Sequence, residues 1–362
     1  MKKYFIIAAA ALVALAACTK SEIDTPKEAG QINFTAVAGK ATKAPIESNY
    51  YPTDIPFGVF CYALVDNKTW ASNSADGQLY MNNETVSYST SADANGIYAP
   101  STTYYWPLSG SLTFIAYSPK AENVAASHNP STKVLTITDY AVNSAAASQQ
   151  DLMYSNTNAD CVETDNNKNG QYYSANNDTP STAKGVNIVF NHALSQVKFN
   201  VKKASGLDNY TITVNSITFH AYNKGTLTVT NDSPSWGSQA FLTEAAFDYN
   251  ANVPAGGVVA PNNDQSFAAC GVANMPVPQT LAASTQTFTI NYSLSKTVGE
   301  STVDLGSKSV TKDLYVNEQG LTAWAPNTIY NYNIVIDLKK IYFNPTIETW
   351  ATPEQSQQID VQ

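Results

Sequence analysis

The chain has 362 residues and a formal net charge of −9, with 14% of its residues charged and all 20 basic residues lysine. An acidic chain without arginine has no basic patch and no guanidinium fork for phosphates, which excludes nucleic-acid binding. Tyr (22) outnumbers Phe (13), and the polar residues are mainly Ser, Thr, Asn and Gln, which excludes a helical or coiled-coil protein.

The N-terminus predicts a bacterial secretion signal over residues 1–18. Two lysines precede an apolar run over residues 4–17. This run is too short to span a bilayer, because a membrane-spanning helix needs about 20 apolar residues. The run ends in Leu-Ala-Ala-Cys, which resembles a lipobox, a signal whose cysteine is acylated and becomes the new N-terminus. Cys18 is therefore the predicted lipidation site, with acyl chains such as palmitate in the membrane.

The first predicted strand follows a polar tether. Apolar side chains recur there at a period of two, which places them on one face of a strand. These side chains are Ile32, Phe34, Ala36 and Ala38. The strand pattern stops at a polar segment with Gly and Pro over residues 39–45.

Further short apolar runs predict strands along the rest of the chain, with turn-forming residues between them. They cover residues 55–64, 111–117, 133–138, 186–201 with a turn near His192, 210–222, 225–230, 286–294, 328–338 and 340–350. One or two helical turns are expected at 144–153 and 244–249. The sequence therefore predicts an all-β fold of two tandem β-sandwich domains, transthyretin-like with Greek-key connections, and few short helices.

The Asn-rich stretch 156–184 is the least apolar part of the chain, and we place a domain boundary directly after it, near residue 185. The predicted organisation follows from that boundary. It comprises a signal peptide over 1–18, a tether and first strand over 19–45, an N-terminal sandwich over 46–185 and a C-terminal sandwich over 186–362.

No motif in the sequence indicates an enzyme or a cofactor site. The three histidines have no neighbouring ligands at metal spacing, and no phosphate loop or nucleophile motif occurs. Asp165–Gly170 matches the first half of a calcium loop, but Asn176 stands where such loops carry a bidentate Glu, so a solvated loop is favoured. Cys61 is expected in the core, and a Cys161–Cys270 disulfide remains an open alternative.

A series of short motifs, each weak alone, occurs in one order along the chain. They are INFTA at 32–36, ATKA at 41–44, YYWP at 104–107, LTFIAY at 112–117, DLMY at 151–154, FNHALS at 190–195, MPVPQ at 275–279, WAPN at 324–327, YNYNIVI at 330–336 and Trp350. Together with the lipobox, this series resembles the fimbrillins, the subunits of type V pili of Bacteroidales.

The resemblance implies a structural and adhesive subunit of a surface fimbria, not an enzyme. In that family a lipidated precursor reaches the outer membrane, a trypsin-like protease removes the first strand, and a strand of another subunit fills the vacated groove. The expected partners are therefore other fimbrillin subunits, the protease and a surface ligand that the sequence does not identify. Relatives often carry Arg at the cleavage site; here the candidates are Lys43 first and Lys40 second.

The segment that this chain would donate is expected at its C-terminal end. Apolar side chains alternate there before and after a polar middle. They are Ile341, Phe343, Ile347, Ile359 and Val361.

The alternative function is a non-polymerising surface lipoprotein that binds glycans through exposed aromatic rings. Its candidate residues are Trp70, Tyr104, Tyr105, Trp106 and Trp236. Among them Trp106 is expected to pack in the interior, because Pro107 and a strand follow it.

Overall fold

The computed structural model describes residues 30–38, 40–41, 46–47, 51–89, 97–163, 171–174, 177–240, 248–338 and 341–350. The described residues are mostly β-strand, which confirms the predicted all-β fold. One short α-helix, α1 at Trp70–Asn73, and 3₁₀ turns at Ser74–Asp76, Ala146–Ser148 and Asn317–Gln319 are the helical elements among them. Within these ranges no helix is long and apolar enough to cross a membrane.

The strands are numbered in chain order. In the first part of the chain they are β1 Phe34–Ala38, β2 Lys40–Ala41, β3 Ile46–Glu47, β4 Phe57–Leu64, β5 Gln78–Tyr88, β6 Tyr98–Pro100, β7 Ser111–Ser118, β8 Ala125–Asn129, β9 Val134–Ala141, β10 Met153–Ser155, β11 Asn158–Cys161, β12 Gln171–Ser174, β13 Asn177–Lys184 and β14 Val186–His192. In the rest they are β15 Gln196–Lys203, β16 Tyr210–His220, β17 Lys224–Thr230, β18 Ser233–Ala240, β19 Asp248–Asn250, β20 Val258–Val259, β21 Ala268–Ala269, β22 Gln279–Thr280, β23 Thr287–Val298, β24 Ser301–Asp313, β25 Ala323–Trp324, β26 Thr328–Ile336 and β27 Ile341–Thr349.

The first part of the chain forms a sheet that closes on itself, called here the closed sheet. Its strands follow the order β10-β14-β1-β6-β5-β4-β7, and β10 also pairs with β7, which completes the ring. Side chains from alternate positions fill its interior, and they include Phe57, Phe114 and Phe190. Every residue of β4 is buried, because one face lines this interior and the other is covered from outside.

The cover is a four-stranded sheet in the order β18-β17-β9-β8. Leu135 and Ile137 of β9 belong to the same buried cluster as Phe60 and Tyr62 on the outer face of β4. The apolar run of β4 is thus continuous because both of its faces need apolar side chains, as in strands buried on two sides.

The last part of the chain is a β-sandwich. One sheet has the order β21-β15-β26-β27, and the other has β19-β16-β23-β24 with β20 on β16. Phe199 of β15 joins them, since its ring centroid lies 5.5 Å from that of Phe219 and 5.4 Å from that of Phe288 on the facing sheet. The alternation of buried and partly buried residues in β26 is the period-two pattern that the sequence predicted.

Strand pairing crosses the predicted domain boundary near residue 185. β14, which begins directly after that residue, pairs with β1 and β10 of the closed sheet. β9 pairs with β17, so strands from both predicted domains share the covering sheet. The division at residue 185 stays a prediction, and the pairing shows that hydrogen-bonded sheets connect the two sides of it.

Candidate functional site: the first strand and its groove

β1 lies inside the closed sheet, between β14 and β6. It runs parallel to β14 in a register that pairs Phe34 with Val186 and Ala38 with Phe190. On its other side it is antiparallel to β6, where Phe34 pairs with Tyr98. The first strand therefore has hydrogen-bonded neighbours on both sides, although it comes from the beginning of the chain.

The residues just before β1 extend this pairing. The Ile32 backbone N–H donates to the Tyr104 carbonyl at 2.9 Å, and the Trp106 N–H donates to the Gly30 carbonyl at 3.1 Å. The Gly30 N–H donates to Oε1 of Glu163 at 2.8 Å. Residues 30–38 thus form one continuous occupant, and the gap that holds them is called here the groove.

The occupant sends its apolar side chains into the interior of the closed sheet. Ile32, Phe34 and Ala38 are fully buried, and Ala36 is partly buried against the same cluster. The Phe34 ring makes edge-to-face contacts with Phe114 at 5.6 Å and with Phe57 at 6.1 Å. These four side chains are the ones that the sequence placed on one face.

The other end of the groove is filled by rings of the sheet and of the loop that precedes β4. Phe190, the register partner of Ala38, lies 5.0 Å from Tyr51 and 5.4 Å from Phe57 by ring centroids. Tyr51 also contacts Tyr98 at 5.5 Å. Small side chains on β1 are therefore matched by large ones around them, as dense core packing requires.

Gly185 lets the β1 backbone approach β14 closely. A Cβ atom at this position would lie 2.9 Å from the Phe34 carbonyl carbon and 3.1 Å from the Asn33 carbonyl oxygen. Real Cβ atoms essentially never come that close to backbone, so a side chain here would force the strand to shift. The contact involves backbone atoms and is independent of the occupant's own side chains.

One of the two predicted processing sites, Lys40, lies among the described residues. Lys40 begins β2, which pairs antiparallel with β3, and its register partner is Glu47. Lys43 lies outside the described residues, as does the predicted lipidation site Cys18.

The predicted donor residues lie partly in the C-terminal sandwich. β27 pairs with β26 from Ile341, opposite Ile336, to Thr349, opposite Thr328. The Ile341 side chain is buried, whereas that of Ile347 is 55% exposed. Phe343 belongs to the same strand, and Ile359 and Val361 are not among the described residues.

A buried cluster that the sequence did not predict joins β27 to the closed sheet. The Trp350 indole stacks on the His192 imidazole with centroids 3.8 Å apart and planes 8° from parallel. Nδ1 of His192 lies in hydrogen-bond contact with Oδ2 of Asp151, at 2.8 Å. The motifs that hold these three residues were visible in the sequence, but nothing in their spacing indicated that they meet.

The three described cysteines are buried, and none forms a disulfide, so the Cys161–Cys270 bridge is not made. Burial raises the pKa of the Cys270 thiol to about 12 and that of Cys61 well above its usual value, which keeps both protonated. In the described part of the chain no three His, Cys, Asp or Glu side chains converge as metal ligands. The calcium-like motif Asp165–Gly170 falls in residues that are not described.

Most of the candidate glycan-binding rings are not on the surface. Trp70 and Trp106 are buried, the latter as expected, and Tyr104 and Trp236 are partly buried. The Trp236 indole N–H donates to the Ala193 carbonyl at 2.7 Å. Tyr105 is the most exposed of the five candidates, with 37% of its surface accessible. The described surface therefore offers no cluster of these rings for stacking on sugars.

The chain is similar to known proteins over most of its length. The family model described as fimbrillin-like matches residues 42–350, and the chain belongs to that family. It is a family of structural and adhesion proteins, not of enzymes.

Among solved structures, the chain is similar to a fimbrial protein from Bacteroides vulgatus, with a TM-score of 0.61, 17% identity, 89% of this chain covered and 99% of that one. It also matches a "putative cell adhesion protein" from Bacteroides uniformis, with a TM-score of 0.47, 18% identity and the same two coverages. No curated protein matches the sequence.

Proposed function

We propose that the protein is a structural and adhesive subunit of a cell-surface type V pilus, assembled by protease-triggered donor-strand exchange. In this proposal Cys18 is lipidated, the precursor is anchored in the outer membrane, and a trypsin-like protease cuts after Lys43 or, second, after Lys40. The occupant of the groove then leaves, and a strand of another subunit replaces it. The observation that carries the proposal is the position of β1 inside the closed sheet.

The physical argument starts from what the groove loses with its occupant. Burial of Ile32 and Phe34 together with the two alanines is worth roughly 5–8 kcal/mol, and each backbone hydrogen bond adds about 1 kcal/mol. Departure would leave the edges of β14 and β6 without partners and an apolar interior open to water. Such an opening recruits another strand by β-augmentation.

Cleavage is a sufficient trigger because the occupant is a separate piece of the fold. The segment between Ala38 and Tyr51 connects it to the rest of the closed sheet. A cut at Lys40 or Lys43 would sever that connection and leave β4 to β14 joined in one chain. Cutting therefore turns an intramolecular strand into one that another molecule can displace.

The fimbrillin-like family membership supports other subunits as partners and the extracellular fimbrium as the final location. In this proposal the chain also offers a segment of its own to a neighbouring groove, carrying Ile341, Phe343, Ile347, Ile359 and Val361. The surface ligand in this proposal is a bacterial or host structure.

The test is limited trypsin digestion of the purified chain, followed by N-terminal sequencing and electron microscopy. The proposal predicts a new N-terminus at Ala44 or Ala41 and the appearance of polymers or of hetero-polymers with a second subunit. A double substitution, Lys40→Gln with Lys43→Gln, should block both. Polymers formed at normal yield by the uncut double variant would contradict protease triggering, and cut protein that stays monomeric with glycan-array binding would favour the alternative function.

A further inference from the structure

We infer that the groove selects its occupant by side-chain size, with large apolar residues at the positions of Ile32 and Phe34 and a small residue at the position of Ala38. This inference rests on the proposed strand exchange and adds to it the chemistry of the partner. The ligand class is an extended segment of another protein chain with two bulky apolar residues at alternate positions and, four residues after the second of them, a residue no larger than alanine. We further infer that this partner is a different subunit, not a second copy of this chain.

At the large end, the occupant itself fills the interior of the sheet. The Phe34 ring packs edge-to-face on Phe114 and Phe57, and the Trp106 ring centroid lies 6.0 Å from that of Phe114. Ile32 is 1% exposed in the same cluster. A smaller side chain at either position would leave a cavity lined by rings that cannot all move inward.

At the small end, the sheet supplies the bulk and the occupant makes room for it. Ala38 is completely buried beside Phe190, whose ring is held between Tyr51 and Phe57. The Tyr98 hydroxyl donates to the Tyr51 carbonyl at 2.6 Å, which fixes these rings further. A larger residue at position 38 would have to displace several fully buried aromatic side chains, which is unfavourable in a dense core.

The backbone contact at Gly185 sets the depth of the occupant. A Cβ atom at Gly185 would meet backbone atoms of Asn33 and Phe34, so the occupant's backbone packs directly against the backbone at the start of β14. The register with β14 is likewise defined over all five residues of β1. Each side chain of the occupant therefore meets the same part of the interior, and its size is tested at that position.

A second copy of this chain matches the pattern only at its large end. Ile341 and Phe343 of β27 have the spacing of Ile32 and Phe34, and Pro345 and Ile347 then take the positions of Ala36 and Ala38. Proline has no backbone N–H for the ladder, and isoleucine is too large for the space beside Phe190.

The experiment measures exchange of the occupant in the full chain. A single engineered protease sequence replaces residues 42–45, the chain is cut, and a fluorescent peptide of residues 30–38 is bound in the groove. Unlabelled peptides then compete for it. The Ala38→Leu peptide should bind about 10-fold or more weakly than the unsubstituted one, and the Phe34→Ala peptide about 100-fold or more weakly.

The matched control is the Val37→Leu peptide. This substitution also enlarges a side chain, but at a partly exposed position on the opposite face of the strand from Ala38. This peptide should bind within about 3-fold of the unsubstituted one. The peptide of residues 339–347 should compete about 10-fold or more weakly, and its Pro345→Ala, Ile347→Ala variant should recover most of that loss.

Equal binding of the Ala38→Leu and Val37→Leu peptides would overturn size selection. Binding of residues 339–347 as tight as that of residues 30–38 would overturn the inference of a different subunit. If the unsubstituted peptide itself fails to exchange, strand exchange and this inference both fail, which is distinct from either result.

A second measurement does not depend on cutting. In the intact chain, Ala38→Leu should lower the urea midpoint of unfolding clearly more than Val37→Leu does, and equal midpoints would contradict the crowded small end.

Discussion

The two terminal strands of the described chain, β1 and β27, are held in different ways. β1 is paired on both sides and has its inner side chains buried, whereas β27 pairs with β26 and carries an exposed Ile347. When an edge strand leaves a sheet, the next strand simply becomes the new edge. When a strand leaves the middle of a closed sheet, it opens a gap of fixed shape. The strand best suited to exchange is thus the more deeply buried one, because only its loss creates a specific site.

The largest expected effect separates the side chains of these two strands. Phe34→Ala should lower the free energy of unfolding by about 3–5 kcal/mol, because it leaves a cavity between Phe57 and Phe114. Ile347→Ala on β27 should cost less than about 1 kcal/mol, since its side chain is half exposed. Urea unfolding of both variants checks this, and similar costs at the two positions would contradict the comparison.

A somewhat smaller effect is expected where β27 meets the closed sheet. Trp350→Ala should cost about 2–4 kcal/mol by removing a fully buried indole and its stacking on His192. Trp350→Phe keeps a ring against the imidazole and should cost about half as much. If Trp350→Ala unfolds at the unsubstituted midpoint, this cluster does not couple the two regions.

The close approach of β1 to β14 predicts a further, smaller effect. Gly185→Ala should destabilise the protein by about 1–3 kcal/mol, because its Cβ would collide with the backbone of β1. Gly237 in β18 is the matched control, since a Cβ atom there meets nothing within 4 Å. Gly237→Ala should stay within about 0.5 kcal/mol of the parent by thermal unfolding. Equal losses of stability at the two glycines would show that the β1 backbone can shift to make room for the added Cβ atom.

The smallest effect concerns the cover of the closed sheet and depends on pH. His128 of β8 packs on Tyr62 and Trp70, and burial lowers its pKa to about 4. In the unfolded chain the histidine takes up a proton near pH 6.5, whereas in the folded chain it stays neutral down to about pH 4. The free energy of unfolding is therefore highest above pH 6.5 and decreases as the pH falls from 6.5 to about 4. Partial exposure limits the loss to about 1–2 kcal/mol.

Urea unfolding at pH 7 and pH 4.5 measures the contribution of this histidine. His128→Gln should make the difference in unfolding free energy between the two pH values smaller by about 1–2 kcal/mol, because glutamine does not titrate. A variant with the same pH dependence as the parent would assign the loss to other groups.

The sequence predicted strands wherever apolar residues alternate against a core. The turn expected near His192 separates β14 from β15, and β26 and β27 lie within their predicted runs. It missed β24, because nearly every residue of that strand is exposed on both faces and no alternation exists to be read. It also missed β5, whose apolar residues are interrupted by partly exposed polar ones.

The candidate site was predictable only in part, for a similar reason. The side chains of β1 that face the interior follow from a local period of two. Their neighbours β14 and β6 lie far along the chain, and so do Asp151 and Trp350 around His192. Without long-range pairing, neither the closure of the sheet nor the small space at Ala38 can be derived from local patterns.

The central claim is that β1 must leave the closed sheet before assembly, and a reversible covalent lock tests it most directly. Val37 and Val189 are register partners on the parallel strands β1 and β14. Cysteines at both positions can therefore form a disulfide that ties the occupant to β14, one wall of the groove. Lys198 and Asn331 of β15 and β26 are an equivalent parallel pair in the sandwich and serve as the control.

Both double-cysteine variants are oxidised, cut by trypsin in the presence of a second fimbrillin subunit, and followed by electron microscopy and gel ladders. The account predicts that the Val37→Cys, Val189→Cys protein is cut but does not assemble until a reductant is added. The control should assemble with or without reductant. Normal assembly of the oxidised, locked groove would contradict the claim.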